Sequence, residues 1–396
     1  MSTEQSNQDI VIVAAKRTPM GGFQGSLSTV TSPSLAATAI KGLVDTTGIE
    51  GSKIDEVLMG CVLPAGLGQA PARQATLGAD LPLSVGATTV NKVCGSGMKT
   101  VMLAHDLIKA GSANIVIAGG MESMSQAPYL LDKARGGMRM GHGKVLDHMF
   151  LDGLEDAYTG GAMGTFAQQT ADEFKLSREA MDQFALNSLQ KANAAIESGA
   201  FKAEIVPVTV SSRRGDMVVD TDEQPGNARP DKIPTLRPAF AKDGTITAAN
   251  SSSISDGAAA LMLMTREQAN ANGLAIMATI KGHATHAQEP SMFTTAPVGA
   301  MSKLLEKVSW DKTDVDLFEI NEAFAMVTML AISELGLDAA KVNINGGACA
   351  LGHPIGCSGA RLLVTLIHAL KAKGLKRGVA SLCIGGGEAT AMAIEL

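Results

Sequence analysis

The feature that most constrains the fold of this chain is an internal repeat. The segment "SGMKTVMLAHDLIKAGSANIVIAGGMES" from Ser96 resembles "SGARLLVTLIHALKAKGLKRGVASLCIGGGEAT" from Ser358, with an offset of 262 residues at the two serines and 266 between Gly119 and Gly385. Upstream, "KIDEVLMG" and "DVDLFEIN" are offset by 261 residues. Near-constant spacing over separate elements predicts two copies of one α/β unit.

Each copy has the pattern of a strand, a long helix, a strand, and then a second helix and strand. Helices are expected over about 95–110 and 359–372. With 45% hydrophobic residues, only 3% aromatic residues and 43 glycines, the core must consist of small aliphatic side chains between closely approaching backbones. This composition favours tightly packed α/β layers.

The pattern changes between the two copies. We expect a first half comprising 1–120 plus 250–274, an inserted loop domain at 121–249 and a second half at 275–396. Within the insertion, Ser177 is a good N-cap for one amphipathic helix that stops before Gly199. Residues 131–144 carry a local charge of +3, from Lys133, Arg135, Arg139 and Lys144 against Asp132. This loop is either a phosphate-binding patch or a solvated surface.

The charge balance argues against polyanionic partners. The formal net charge is −6 and the sequence pI about 5.7, so there is no long-range attraction for nucleic acid or an anionic membrane. The N-terminus lacks a basic region followed by an apolar stretch, and no run of eighteen apolar residues occurs. We therefore expect a soluble cytoplasmic protein.

The five cysteines do not have the spacing of a disulfide framework or a structural zinc site, because they form no CxxC pair and their number is odd. Cys94, in "NKVCGSGMK", is the exception to simple packing. It lies between an expected strand and the first turn of a helix, where unpaired N–H groups and the helix dipole favour an anion. We predict a thiol biased toward thiolate.

The matching turn of the second copy, "NGGACALGHPIGCSGAR", supplies His353, which Pro354 holds in an extended conformation just before a helix. Cys383 precedes "IGGGEA", whose glycines let N–H groups face a substrate oxygen. Asn321 follows a strand and offers a neutral amide, although it is equally suited to N-capping the next helix. Together these groups indicate carbonyl or thioester chemistry by covalent catalysis, with no metal or flavin cofactor. No dinucleotide-binding fingerprint is present.

The motifs "NKVCGSGMK", "NEAFA", "GGACALGHPIGCSGAR" and "CIGGGEA" resemble those of the thiolase family, in the same order and over nearly the whole chain. The resemblance implies a duplicated five-layer α-β-α-β-α fold, usually a homotetramer. The pattern is most similar to the short-chain members of the family. This similarity implies the reaction of two acetyl-CoA molecules to give acetoacetyl-CoA and CoA, with the coenzyme A thioesters as substrates rather than cofactors.

The resemblance also implies residue roles. Cys94 would take the acetyl group, His353 would activate its thiol, and Cys383 would remove an α-proton from the second acetyl-CoA. One oxyanion site would come from His353 and a water held by Asn321, the other from the N–H groups of Cys94 and Gly385. The implied CoA-binding surface comprises Leu154, Met163, Phe240, Ser252, Ala323 and Phe324.

Two positions depart from the common family pattern. Ala162 replaces a histidine in the loop motif His-Met-Gly, and Phe293 replaces a frequent methionine. These changes leave acyl-chain preference open between acetoacetyl-CoA and longer 3-ketoacyl-CoA substrates. A non-catalytic CoA-binding protein is the remaining alternative. Cys61, Cys349 and Cys357 are assigned to packing. His105 and His368 belong to no motif.

Overall fold

The computed structural model describes residues 7–213 and 215–396. The first copy alternates strands and helices up to the insertion. Its elements are β1 (Ile10–Arg17), β2 (Gly21–Gly22), α1 (Ser32–Thr47), β3 (Glu56–Gly60), α2 (Pro71–Gly78), β4 (Gly86–Val90), α3 (Ser96–Lys109) and β5 (Ile115–Ser123). The bounds of α3 agree with the helix expected at 95–110.

The described residues of the segment between the copies form two small hairpins and three α-helices. Its elements are β6 (Tyr129–Leu130), β7 (Leu146–Asp147), α4 (Met163–Glu173), α5 (Arg178–Ser198), β8 (Val208–Ser212), β9 (Gly215–Val219) and α6 (Glu223–Asn227). The α5 helix begins and ends as expected, because the Ser177 side chain accepts a hydrogen bond from the Ala180 N–H and Gly199 adopts a left-handed conformation.

The rest of the chain returns to the first sheet and then builds the second copy. Its elements are β10 (Ser255–Thr265), α7 (Arg266–Ala271), β11 (Ala278–Ala287), α8 (Ala296–Val308), β12 (Leu317–Ile320), α9 (Ala325–Leu335), α10 (Ala348–Leu351), α11 (Ser358–Lys373), β13 (Arg377–Ile384) and β14 (Glu388–Glu395). The α11 helix is the expected counterpart of α3.

The strands of both halves belong to one hydrogen-bonded sheet. Its order is β12-β13-β14-β11-β1-β10-β5-β3-β4, and β2 pairs with β10. The halves join at the short antiparallel pairing of β1 with β11, which involves only Val11 with Thr279 and Ile12 with Ala278. Each half therefore acts as a separate layer connected along one narrow seam.

Helices cover both layers on both sides. Helices α1 and α2 pack on the outside of the first half, α8 and α9 on the outside of the second, and α3 and α11 lie between them. The resulting order of layers is α-β-α-β-α, which confirms the predicted fold class. The two central helices approach closely at repeat-related glycines. A Cβ on Gly97 would lie 2.8 Å from the Ala360 nitrogen, and one on Gly359 would lie 2.4 Å from the Met98 nitrogen.

Candidate active site

Cys94 lies on a tight turn between β4 and α3, as predicted. The residue before it, Val93, has φ of +45°, a left-handed conformation that a β-branched residue adopts only at a cost of about 1 to 3 kcal/mol. The Ser96 hydroxyl holds this turn: it donates to the Val93 carbonyl at 2.7 Å and accepts from the Lys92 N–H at 2.8 Å. The strained turn thus fixes the direction of the Cys94 side chain.

The prediction that Cys94 is biased toward thiolate is wrong for the resting enzyme. Burial raises the pKa of its thiol to about 11, and the N–H groups of Gly385 and of Cys94 itself oppose this only in part. Helix α3 begins two residues later, at Ser96, so desolvation outweighs the attraction of the helix N-terminus. The thiol needs a base to become a nucleophile.

His353 is suited to be that base. Burial, and then the positive charge of Arg361, lower the pKa of its imidazole to about 3, so the ring is neutral near pH 7. Its Nδ1 lies 2.5 Å from the Ser358 hydroxyl, which donates its own hydrogen to the Pro354 carbonyl at 2.9 Å. Nδ1 is therefore the protonated nitrogen. Nε2 is buried and has no hydrogen-bond partner among the described residues.

Cys383 and Gly385 come from the hairpin that joins β13 to β14. Its turn needs glycine, since Gly386 and Gly387 have φ of +89° and +85°. Burial, and then the nearby Cys94, raise the pKa of the Cys383 thiol well above its ordinary value. The Gly385 N–H is close enough to the Cys94 sulfur to lower the pKa of its thiol. Both cysteines are consequently protonated at rest, with a backbone donor beside the first.

One cavity of about 390 Å³ brings these groups together. Its wall includes the predicted residues Cys94, His353, Cys383, Gly385, Leu154, Met163, Phe240, Ser252, Ala323 and Phe324. Ala162 and Phe293, the two departures from the family pattern, also line it. The lining is mostly apolar, with few polar groups converging on the two sulfurs, which is typical of a site for an acyl chain or a slender organic arm.

The insertion supplies the outer wall of this cavity. Met163 opens helix α4, and the Phe240 ring lies flat against Gly164, where an added Cβ would be 2.2 Å from the ring. Phe324 packs edge to face against Phe240 and Phe293, with ring centroids 6.1 and 6.4 Å apart. These aromatic contacts join the insertion to the second half at the cavity.

Asn321 lies beside His353 but does not line the cavity. It is fully buried behind His353, with Nδ2 3.4 Å from Nδ1 of the imidazole, and it is not among the cavity-lining residues. It does not cap α9 either, because that helix begins at Ala325 with Phe324 at the N-cap position. Its Oδ1 has no hydrogen-bond partner among the described residues. Its role in holding a water stays a prediction.

Glu122 is an important residue that sequence reasoning missed. Its buried carboxylate accepts from the N–H groups of Val62, Leu63 and Gly356 at 2.9, 3.2 and 3.0 Å, and burial raises its pKa to about 7. It thereby ties the turn after His353 to the loop after β3. The sequence carries one sign of this role: Glu122 is the single acidic residue of the strand IVIAGGMES, and an acidic side chain in a buried strand requires polar partners, which the sequence does not identify.

Three cysteines predicted to pack do lie away from bulk solvent. Cys357 is fully buried in the central core, and the buried Cys61 thiol donates to Glu122 at 3.6 Å. The half-buried Cys349 thiol donates to the Glu322 carbonyl at 3.7 Å.

The basic loop at 131–144 is exposed at all four of its cationic residues, Lys133, Arg135, Arg139 and Lys144. Both interpretations of this loop, a phosphate-binding patch and a solvated surface, remain predictions.

The duplicated α/β fold and a site with two cysteines and a neutral imidazole define a class, the enzymes that transfer acyl groups through a cysteine. The family model "Thiolase, N-terminal domain" matches residues 10–267, and "Thiolase, C-terminal domain" matches residues 274–396. The chain belongs to the thiolase family.

Curated relatives match over nearly their whole length. The acetyl-CoA acetyltransferase of Escherichia coli (strain K12) is 51% identical over 98% of this chain and 99% of the relative. That of Pseudomonas aeruginosa is 49% identical with the same coverage. The crystal structure of the Bacillus anthracis acetyl-CoA acetyltransferase superposes with a TM-score of 0.96 at 42% identity, covering 98% of this chain and 99% of that one.

Proposed function

We propose that the protein is an acetyl-CoA C-acetyltransferase, an acyltransferase that converts two acetyl-CoA to acetoacetyl-CoA plus CoA in a reversible Claisen condensation. The observation that carries this proposal is the presence of Cys94, Cys383 and His353 on the wall of one largely apolar cavity. The names of the relatives, at 49% and 51% identity over almost the full chain, support acetyl-CoA as the substrate.

The first half-reaction acylates Cys94. Nε2 of His353, which lacks a competing partner among the described residues, takes the Cys94 proton as the sulfur attacks the thioester carbonyl. The bond between that carbonyl and the CoA sulfur then breaks. Cys383 is protonated at rest and gives its proton to the departing CoA thiolate, which leaves a Cys383 thiolate beside an imidazolium.

The second half-reaction forms the carbon–carbon bond. The Cys383 thiolate removes an α-proton from a second acetyl-CoA, and the resulting carbanion attacks the acetyl carbonyl on Cys94. Collapse of this adduct breaks the bond between the acyl carbon and the Cys94 sulfur. The sulfur takes back the proton held on His353, so both cysteines end protonated and the proton balance closes.

Backbone donors would stabilise the oxygen that becomes negative on the acyl group. The Gly385 N–H already lies beside the Cys94 sulfur, where it lowers the pKa of the thiol, so it would be near the carbonyl of an acetyl group bound there. Losing one such donor typically costs about 2.7 to 4 kcal/mol of transition-state stabilisation. We assign the second oxyanion site to His353 with a water on Asn321.

We assign the pantetheine arm of coenzyme A to the cavity surface formed by Leu154, Met163, Phe240, Ser252, Ala323 and Phe324. The Ser252 N–H and hydroxyl donate to the Ala323 carbonyl at 2.9 and 3.0 Å, which joins the two sides of this surface. The chemistry proposed here uses the thioesters as substrates and requires no further cofactor.

A labelling experiment tests the first half-reaction. After incubation with acetyl-CoA, mass spectrometry should find one acetyl group per chain on the peptide that contains Cys94. A Cys94→Ala variant is the matched control and should carry none. Stoichiometric labelling of another cysteine would reject the assignment, and CoA binding without any acetylation would favour the non-catalytic alternative.

The runner-up is a 3-ketoacyl-CoA thiolase for longer chains, because Ala162 and Phe293 alter the cavity wall. The deciding measurement is kcat/KM for acetoacetyl-CoA against that for a ten-carbon 3-ketoacyl-CoA. We expect preference for the shorter substrate, and a marked preference for the longer one would overturn the proposal.

We further propose that the enzyme acts in the cytoplasm as a homotetramer, with CoA thioesters rather than nucleic acid or membranes as its partners. The net charge of −6 supports the exclusion of nucleic acid and anionic membranes as partners. None of the helices in the described part of the chain combines the length and hydrophobicity needed to span a bilayer. Light scattering of the purified chain should give four times its mass of 40.7 kDa, and a monomer mass would reject the assembly.

A further inference from the structure

A second cluster of chemically active side chains lies away from the cavity. His105 and Asp106 occupy the C-terminal part of α3, and His283 lies on β11. Nδ1 of His105 and Nε2 of His283 are 2.9 and 3.0 Å from the same carboxylate oxygen, Oδ1 of Asp106. One ligand atom from each of the three residues lies within 4.8 Å of the others.

The donor set matches a known chemical preference. Two imidazoles and one carboxylate are ligands for divalent first-row transition metals, and three protein ligands leave a position for water. Bonds of about 2.0 to 2.1 Å in a tetrahedral site place ligand atoms about 3.3 Å apart. The observed 2.9 and 3.0 Å separations need to widen by only a few tenths of an ångström.

The surroundings allow an ion to enter and hold the ligands in place. The side chain of Asp106 is 55% exposed, whereas those of His105 and His283 are 19% and 13% exposed. The two imidazole rings pack edge to face with centroids 5.1 Å apart. Lys307 donates to the His283 carbonyl at 3.0 Å, and its charge opposes a cation, which the Asp106 carboxylate offsets.

We propose that His105, Asp106 and His283 form a binding site for a divalent first-row transition-metal ion, for which Zn²⁺ is the probe. Helix α3 belongs to the first half of the fold and β11 to the second. The ion therefore bridges the two halves at the end of the helix remote from Cys94. An ion that binds only the folded chain stabilises it by mass action.

Calorimetric titration with ZnCl₂ tests the site, using the full untagged chain. The Cys94→Ala/Cys383→Ala background removes the sulfur ligands of the cavity, so any binding reports on other residues. We expect one Zn²⁺ per chain and a rise in Tm of a few degrees at saturating Zn²⁺. Addition of EDTA should reverse that rise.

Variants in the same background identify the ligands. His283→Gln should weaken Zn²⁺ binding at least tenfold and abolish the rise in Tm. The matched control is His286→Gln on the same strand, whose ring contacts Gln288 at 3.0 Å and is outside the cluster; its affinity should not change. Asp106→Asn is the second test should His283→Gln fail to fold, as judged by circular dichroism. Absence of Zn²⁺ binding in the parent chain, or unchanged affinity in the folded cluster variants, would overturn the proposal.

Discussion

The two turns that open α3 and α11 have equivalent positions in the repeat but different chemistry. Ser96 and Ser358 are 262 residues apart and each begins a central helix. The Ser96 hydroxyl binds only backbone and maintains the strained turn that carries Cys94. The Ser358 hydroxyl instead accepts from Nδ1 of His353 and sets its tautomer. The duplicated scaffold thus supplies a nucleophile from one copy and a base from the other.

The comparison extends to the strands before these turns. In the first half β4 is a full parallel strand beside β3, whereas the second half has only a single bridge, Phe318 with Val342, at the corresponding edge. The chain there forms α9 and α10 before reaching His353. The copies therefore share their central helices and differ at the edge of the sheet. The turns before the two central helices carry Cys94 and His353.

The largest effect is expected when Cys94, on the turn that precedes α3, loses its thiol. Cys94→Ala should reduce both condensation and thiolysis by at least about 10⁴-fold, because both directions pass through the acyl group carried on Cys94. The measurement is the steady-state rate of acetoacetyl-CoA thiolysis, with thermal unfolding as a control for folding. A loss below tenfold in a folded variant would show that the nucleophile is elsewhere.

The second-largest effect is expected for Cys383, and it distinguishes the role of this residue from that of Cys94. Cys383→Ser should still yield acetyl-enzyme, although more slowly because a serine hydroxyl is a weaker acid toward the departing CoA thiolate. Condensation should fall further, by about 10² to 10⁴-fold, because the base that removes the α-proton is lost. Single-turnover acetylation measured by mass spectrometry, beside the steady-state rate, distinguishes the two steps. Equal losses in both half-reactions would contradict the assigned roles.

The pH dependence of alkylation tests the protonation state of the Cys94 thiol. With the Cys94 pKa at about 11, its thiolate fraction, and hence its rate of reaction with iodoacetamide, should rise about tenfold per pH unit from pH 7 to pH 10. His353, with its pKa at about 3, stays neutral over this range and adds no second inflection. A rate that is already constant above pH 7 would mean a preformed thiolate.

The smallest effects are expected for the two repeat-related serines, Ser358 and Ser96. Ser358→Ala should lower kcat about tenfold with little change in KM. Without the Ser358 hydroxyl, the proton of the neutral imidazole is no longer held on Nδ1, and a smaller fraction of His353 has the unprotonated Nε2 needed for general-base catalysis. Ser96→Ala should instead lower the free energy of unfolding by about 1 kcal/mol, because two partly buried backbone groups, the Lys92 N–H and the Val93 carbonyl, lose their partner. Kinetics and urea unfolding of both variants measure this contrast. Two identical profiles would remove the distinction between the turns.

Much of this protein followed from the sequence because the relevant signals are local. The repeat, the strand, turn and helix around Cys94, and the ordered motifs predicted the layered fold. The repeat and the motifs also predicted that Cys94, His353 and Cys383 belong to one site, and the family resemblance added the six residues proposed to contact CoA. All nine line the cavity. The pattern at Ser177 and Gly199 specified a helix without reference to the rest of the chain.

What tertiary structure alone decided concerns the environment of those residues. Whether Cys94 is a thiol or a thiolate depends on how much water the packed halves exclude, and burial proved stronger than the helix terminus. Asn321 lies behind His353, and Glu122 supports the turn from another strand. Desolvation and contacts between distant segments, such as Glu122 with Gly356 at a separation of 234 residues, arise only when the layers pack, so no local pattern encodes them.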